Sequence, residues 1–287
     1  MSKLKGLFSY IRRNPALGWG FGVLLFLVLF TTVGRLFIDV EDAYPLRVAI
    51  NKPPSAEFPF GTDSQGRDLL AGMIVGTRMT LSIGLIAGLI GLGVGTVLGF
   101  MSGYYGGLFD TIVKFIVDVL MTIPSYLLLL LIATTLADPG NMKPVEMALI
   151  LSIVAWVAPT RTIRSQVLSM RERAFVMMAK LSGMSGMEII LKEMMPNLLP
   201  YLAISLAGAV SGGVLGSLGL EGIGIGNRRQ PTLGMTVYNF RYYGAFLRGM
   251  WWWIVEPIFF IAIVFVAFLL ISIGLDEVAN PRVRRKA

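Results

Sequence analysis

The sequence contains no cysteine and no histidine, and only 15% of its 287 residues are charged. Without those two side chains there is no disulfide framework, no thiolate nucleophile, no imidazole base and no Cys/His zinc site. Most hydrolytic and redox chemistries therefore lack their usual groups. Charge is the second shortage, since a soluble domain carries about 25% charged residues. It accompanies 55% hydrophobic residues and a mean hydropathy of +0.73, more apolar surface than a soluble chain of this length has interior to bury. The composition specifies a membrane protein. The 25 Lys+Arg against 17 Asp+Glu give a net charge of +8. In a membrane protein this balance suits anionic headgroups and basic cytoplasmic loops rather than nucleic acid.

The apolar runs give six spans. Ala16 to Gly34 is uncharged and long enough to cross a hydrocarbon core of about 30 Å. It reads as an uncleaved span, too long for a signal-peptide core. Lys3, Lys5, Arg12 and Arg13 precede it, which places the N-terminus in the cytoplasm. Residues 35–79, rich in proline, form a long first external loop. No charge then occurs from Met79 to Phe109, where Gly84, Gly88, Gly91, Gly95 and Gly99 repeat at four- and three-residue spacing. Such small-residue stripes allow close helix approach. The third span is expected over Thr111–Ala137 with a kink at Pro124, and the fourth over Pro144–Thr160. The fifth lies within Met194–Leu220, the third external loop covers Glu221–Met250, and the sixth runs from Trp251 to Leu275. Trp251, Trp252 and Trp253 read as an interfacial aromatic belt. The basic tail Arg282, Arg284, Arg285 and Lys286 puts the C-terminus in the cytoplasm too. On this topology 14 Lys/Arg lie inside and 10 outside, with Lys114 at a membrane edge. The chain is thus expected to be an all-α polytopic protein. Asp118, inside the third span, is either a functional intramembrane carboxylate or the partner of Lys114 one turn away; the pair is the expectation taken here. No internal repeat is visible.

The cytoplasmic stretch 171–196 is more structured than a loop. Ser185 followed by Glu188 is a capping box. Met187, Ile190, Leu191 and Met194 share a helical face, Glu188 and Lys192 form an i, i+4 pair, and Pro196 is expected to end the helix. Ala174–Leu181 is a second short helix, joined to the first through Gly183. Phe175, Met177 and Met178 are expected to be exposed, facing either a partner's groove or lipid and the underside of the spans.

This helix–Gly–helix resembles the coupling loop of ABC importer permeases, with Ala179, Gly183, Pro196 and Asn197 at matching positions. It departs from that pattern where Met177 stands in place of the family's glutamate. Other blocks agree in order and spacing. Gly61-Thr62-Asp63-Ser64-Gln65-Gly66-Arg67-Asp68, Tyr104-Tyr105-Gly106-Gly107 with Asp110-Thr111, Ile123-Pro124-Ser125, and Gly274-Leu275-Asp276 with Asn280-Pro281-Arg282 are similar to the second-type permease subunit of the dipeptide/oligopeptide/nickel importers. The resemblance divides the chain into residues 1–59, which add one span, and a permease domain over 60–287.

The resemblance implies a transport subunit in a prokaryotic cytoplasmic (inner) membrane, not an enzyme. It would form a translocation pathway with a second homologous permease and take short peptides, or alternatively oligosaccharides or a nickel chelate, from an external substrate-binding protein. Two cytoplasmic ATPases would use ATP and Mg; this chain has no phosphate-binding Gly-x-x-x-x-Gly-Lys-Ser/Thr loop of its own. No catalytic, cofactor or metal residues are expected in it, and the substrate-binding residues are not legible. The coupling set would be Phe175, Met177, Met178, Ala179, Gly183, Glu188, Glu193 and Pro196. The external block would be Gly61, Thr62, Asp63, Gly66, Arg67 and Asp68, with Asp63 and Arg67 pairing at i, i+4 to cap a short helix over Leu70–Val75. A metal at Asp63 and Asp68 lacks further ligands of suitable spacing. A rival of a different class, a proton-coupled carrier, would use Asp118 and Glu256.

Overall fold

The computed structural model describes residues 14–136 and 138–279. The basic residues of the N-terminus and the tail, Ala137 and the Asn280-Pro281-Arg282 block lie outside the described residues. Ten helices follow in order: α1 Pro15–Val33, α2 Leu69–Tyr105, α3 Gly107–Thr122, α4 Ser125–Leu136, α5 Pro144–Ala155, α6 Val157–Arg171, α7 Ala174–Leu181, α8 Gly186–Gly222, α9 Leu233–Tyr242 and α10 Trp251–Ala279. There is no strand among the described residues, only an isolated bridge between Thr62 and Asp68. Among the described residues four helices (α1, α2, α8, α10) are long and apolar enough to cross a membrane, and the number is up to six if each of the bent pairs α3–α4 and α5–α6 is one span. The chain is a polytopic all-α membrane protein.

The glycine-striped helix α2 is the centre of the bundle. At 37 residues it is about 55 Å long at 1.5 Å per residue, well beyond a hydrocarbon core. The expected short helix over Leu70–Val75 is its first turns, because no proline or turn residue separates that segment from the span. A Cβ on Gly84 would lie 2.4 Å from Val214 Cγ2, and one on Gly88 2.7 Å from Val210 N, so both hold α8 close. Farther along, Gly91 meets Ala155, Gly95 meets Pro159, and Gly99 and Gly103 meet Ile163 and Val167. One stripe thus seats α5, α6 and α8. In the same manner α1 and α10 pack through Gly20 against Ile271 and Gly274 against Leu17.

Proline breaks two spans. Pro124 holds Ile123 extended (φ −86°, ψ 128°), as a residue before proline prefers, and α3 and α4 meet at 91°. The expected kink is a right-angle break. Pro159 removes the hydrogen bond to the carbonyl of Ala155, where α5 ends, and α6 departs at 41°.

Other sequence expectations also change. Pro196 does not end a helix: α8 runs through it. Residues Ile189–Met194 form a π-helical turn in which the Met195 N–H reaches Ile190 O, five residues back. The wider turn relieves the clash between the proline ring and the preceding carbonyls. It also shifts the buried stripe to Ile189, Ile190, Met194 and Leu198, leaving Met187 and Leu191 exposed. The segment between α8 and α10, expected as a loop, contains helix α9, capped by Thr232, whose hydroxyl accepts the Met235 N–H at 3.3 Å. The tryptophan belt reduces to Trp251: Trp253 is fully buried against Tyr243, and Trp252 donates to Thr62 O at 3.3 Å. Asp118 and Lys114 are exposed and form no ion pair with each other. The ion pair that forms instead is Asp110 with Arg164.

Candidate functional site

The two ends of α2 carry the two sequence blocks singled out above. At its C-terminal end lies the helix–Gly–helix. Val176 and Ala179 anchor α7 in a cluster with Phe100, Ile163, Val167, Ile189, Ile190 and Met194. Gly183, at φ +80°, turns the chain, and the Met184 N–H closes the turn on Ala179 O at 3.2 Å. The backbone there is left-handed, a conformation a β-branched residue resists. The capping box is formed: the Glu188 N–H donates to Ser185 Oγ at 3.3 Å and the Ser185 N–H to Glu188 Oε2 at 3.0 Å. Lys192 Nζ completes the charge pair with Glu188 at 3.0 Å. Glu193 is half-buried, its carbonyl accepting from Asn197 Nδ2 at 2.6 Å, and Pro196 is exposed.

The exposure of the hairpin differs from expectation at one residue. Phe175 is half-buried and packs on the same apolar cluster, because it lies one turn before Ala179 on the inward face. Met177, Met178 and Leu181 are 51%, 63% and 83% exposed. A short helix fixed by its own core thus presents an apolar outer edge. The end of α2 supports it: a Cβ on Gly186 would lie 2.9 Å from Tyr104 Cε1, and Lys180 Nζ sits 5.5 Å over the Tyr104 ring.

At the other end of α2 the 61–68 block folds into a clasp. Backbone bonds join Leu46, Arg47 and Val48 to Gln65 and Gly66, and Asn51 to Asp63. Asp63 Oδ1 accepts the N–H groups of Gln65 and Arg67 at 2.7 and 3.0 Å. Arg67 is buried: its Nη2 donates to Arg228 O at 2.5 Å, and its Nε is 3.8 Å from Asp63 Oδ2. The expected i, i+4 pair is present, but it organises the clasp. The helix cap is Asp68, which accepts the Leu70 N–H at 2.8 Å. Burial pushes the Asp63 carboxyl up from its ordinary value, opposed by the Arg67 charge and the loop N–H groups. Burial likewise raises Asp68, opposed by the first N–H groups of α2. Thr62 donates to Ala49 O and accepts from Lys52 N, while Gly61 and Gly66 leave room for the carbonyls of Lys52 and Val48.

Between the two ends lies a cavity of about 460 Å³ whose lining comes from α4, α5, α6 and α8 and carries no charged side chain. Ser125, one residue past the right-angle break, and Ala155 and Pro159, at the 41° bend, line it together with Thr162, Tyr201 and Ser205. Interrupted helices at membrane depth are tolerated where they line such a space or are buried in protein. Sequence reading marks Pro124 as a bend but gives no sign that two breaks converge on one cavity.

A bundle of candidate spans with a clasp at one end and an apolar-edged hairpin at the other defines a polytopic membrane protein. Residues 95–285 match the family described as binding-protein-dependent transport system inner membrane component, and the chain belongs to that family. It is 30% identical, over 96% of its length and 84% of the relative's, to the dipeptide transport system permease protein DppC of Bacillus subtilis. It is 32% identical to DppC of Alkalihalophilus pseudofirmus over 80% of this chain and 74% of that one. The oligopeptide transport system permease protein OppC of Bacillus subtilis is 25% identical over 99% of this chain and 92% of the relative.

Proposed function

We propose that this chain is the membrane-spanning permease subunit of an ATP-driven importer of short peptides in a prokaryotic cytoplasmic membrane. It would pair with a second, homologous permease and receive substrate from an external binding protein at the clasp end. Two cytoplasmic ATPases, which use ATP and Mg, would dock on the hairpin. The observation that carries this reading is the hairpin itself: Met177, Met178 and Leu181 stand exposed on a helix whose opposite face is anchored by Val176 and Ala179. Such an edge at the end of a membrane bundle suits a groove in a soluble partner. The substrate class rests on the dipeptide and oligopeptide transport named for the relatives. The uncharged cavity beside the helix breaks is this chain's wall of the pathway on the same reading. Its hydroxyls and open helix backbone would pass peptides with little regard to their side chains, leaving selection to the binding protein.

The test is co-purification of the ATPases with the complex, combined with cysteine labelling, which this cysteine-free chain permits. Met178→Asp is expected to leave the two permeases associated and to release the ATPases. Ser185→Cys should label only after permeabilisation, and Ser55→Cys and Asn227→Cys from outside. Labelling of Ser185→Cys in intact cells would refute the orientation and the ATPase-docking role together.

A further inference from the structure

The bonds that join α3 to the rest of the bundle are few and specific. It begins at Gly107, which with its N-cap Gly106 has a positive φ (+63° and +69°), and ends at the right-angle break before Pro124. Flexible or broken backbone therefore flanks it on both sides. Only Val113 and Val117 are buried along its length, against Val157 and Trp156 at the α5–α6 bend and Leu98 of α2. Its one ion pair to another helix is bidentate: Arg164 Nε donates to Asp110 Oδ1 at 2.5 Å and Arg164 Nη2 to Asp110 Oδ2 at 2.7 Å. Both side chains are partly buried, and Lys114 and Arg171 add positive potential at the carboxylate. Two parallel charge-assisted bonds fix an angle as well as a distance.

Arg164 belongs to the opposite kind of element. Helix α6 is seated on α2 through Ile163 and Val167, both fully buried against Gly99 and Gly103. Arg171, at the end of α6, donates to the carbonyls of Gly103 and Tyr104 at 3.4 and 3.5 Å. Three residues later the chain enters α7. The cytoplasmic half of α2, α6 and the hairpin thus form one packed body, and α3 is an arm with pivots at both ends, held to that body by the small Val113–Val117 contact, by Arg161 Nη1 on Met121 Sδ at 3.3 Å and, as its ion pair, by the Asp110–Arg164 fork. Beyond the second pivot, Ser125 and Leu129 of α4 line the cavity.

We infer that Asp110 and Arg164 are positioning residues of transport: their pair makes α3 travel with the hairpin. A displacement of α7 would then act at the 123–124 break, and so on the cavity wall, rather than being lost at Gly106–Gly107. This rests on the permease reading above, in which the hairpin is the element that ATP-driven closure displaces.

The experiment uses the full complex in proteoliposomes with its binding protein and radiolabelled trialanine, measuring uptake per ATP hydrolysed. Asp110→Ala and Arg164→Ala are expected to leave ATPase association intact and to lower that ratio by about fivefold or more, a coupling loss of ordinary allosteric size. Asp110→Glu, which keeps the carboxylate, and the swapped pair Asp110→Arg with Arg164→Asp should recover part of it. A readout independent of transport comes from spin labels at Phe115→Cys on α3 and Gln166→Cys on α6. Their separation should be the same in the nucleotide-free and ATP-trapped complexes, and should change between those states once Asp110→Ala is added. An unchanged ratio in both alanine variants would overturn the inference, as would a label separation that shifts between states without Asp110→Ala. If the unsubstituted complex takes up no trialanine, the peptide reading falls, and the label distances still decide the role of the pair.

Discussion

Gly186 lies against the edge of the Tyr104 ring, where a Cβ would come within 2.9 Å of Cε1 and 3.0 Å of the Tyr105 hydroxyl. This is the contact by which the far end of α2 holds the first turn of α8. Both rings are braced, Tyr104 by Lys180 above it and by an edge-to-face contact with Tyr105 at 5.1 Å. Gly186→Leu is therefore expected to push the hairpin off α2, at an overpacking cost of about 1–3 kcal/mol. Substrate uptake should fall while the spans stay inserted. Limited proteolysis of the assembled complex checks it: cleavage between residues 172 and 186 should become faster, and an unchanged cleavage rate would show that the hairpin does not depend on this seat.

Phe175 and Met177 are neighbours in sequence with opposite expected behaviour. Phe175 packs half-buried on the core under the hairpin, so Phe175→Asp removes part of the about 1.5–3 kcal/mol that full burial would contribute and also asks a carboxylate to sit beside apolar groups. It should unfold the hairpin locally. Met177 is half exposed, and Met177→Glu, which introduces the acid of the resembled pattern, should alter stability by no more than about 0.5 kcal/mol. Hydrogen exchange over residues 174–194 separates the two: protection should be lost in Phe175→Asp and retained in Met177→Glu. Equal protection in both variants would mean that Phe175 is not a core residue of the hairpin.

Much of this architecture is legible from the chain because the signals are local. The capping box at Ser185–Glu188, the glycine turn at Gly183, the glycine stripe of α2 and the first and last spans all follow from patterns within a few residues. What is not legible depends on how helices meet. The periodicity of Met187, Ile190, Leu191 and Met194 assumes 3.6 residues per turn, and the π turn breaks that assumption. Phe175 reads as exposed because nothing in its own segment shows α2 and α8 closing over it. Asp118 with Lys114 is the pair that sequence spacing offers, whereas Asp110 finds Arg164, 54 positions away. Helix α9 carried a usable signal in Thr232, a capping residue just after Pro231, but it sits in a segment with no long apolar run. The clasp is legible as a block but its capping residue is not, since Asp63 and Asp68 are equally good candidates until the loop's backbone bonds are known.

That clasp supports the last prediction. Asp63 holds two backbone N–H groups and faces the buried guanidinium of Arg67, whose Nε has no hydrogen-bond partner among the described atoms. Removing the carboxylate leaves a buried cation without its counter-charge, so Asp63→Ala is expected to destabilise the loop by about 3–5 kcal/mol, the usual cost of breaking a buried pair from one side. Arg67→Met should cost less. It removes the charge together with its desolvation penalty, leaving Asp63 to its two N–H donors and the Arg228 carbonyl without its donor. The ordering therefore distinguishes a loop held by charge from one held by backbone bonds. It can be read from the midpoint of denaturation followed by fluorescence of Trp252, with the other four tryptophans replaced. That residue reports on the clasp through its bond to the Thr62 carbonyl. If Arg67→Met lowered the midpoint as much as Asp63→Ala, the guanidinium's bond to Arg228, rather than its charge opposite Asp63, would be what holds the clasp to the segment before α9.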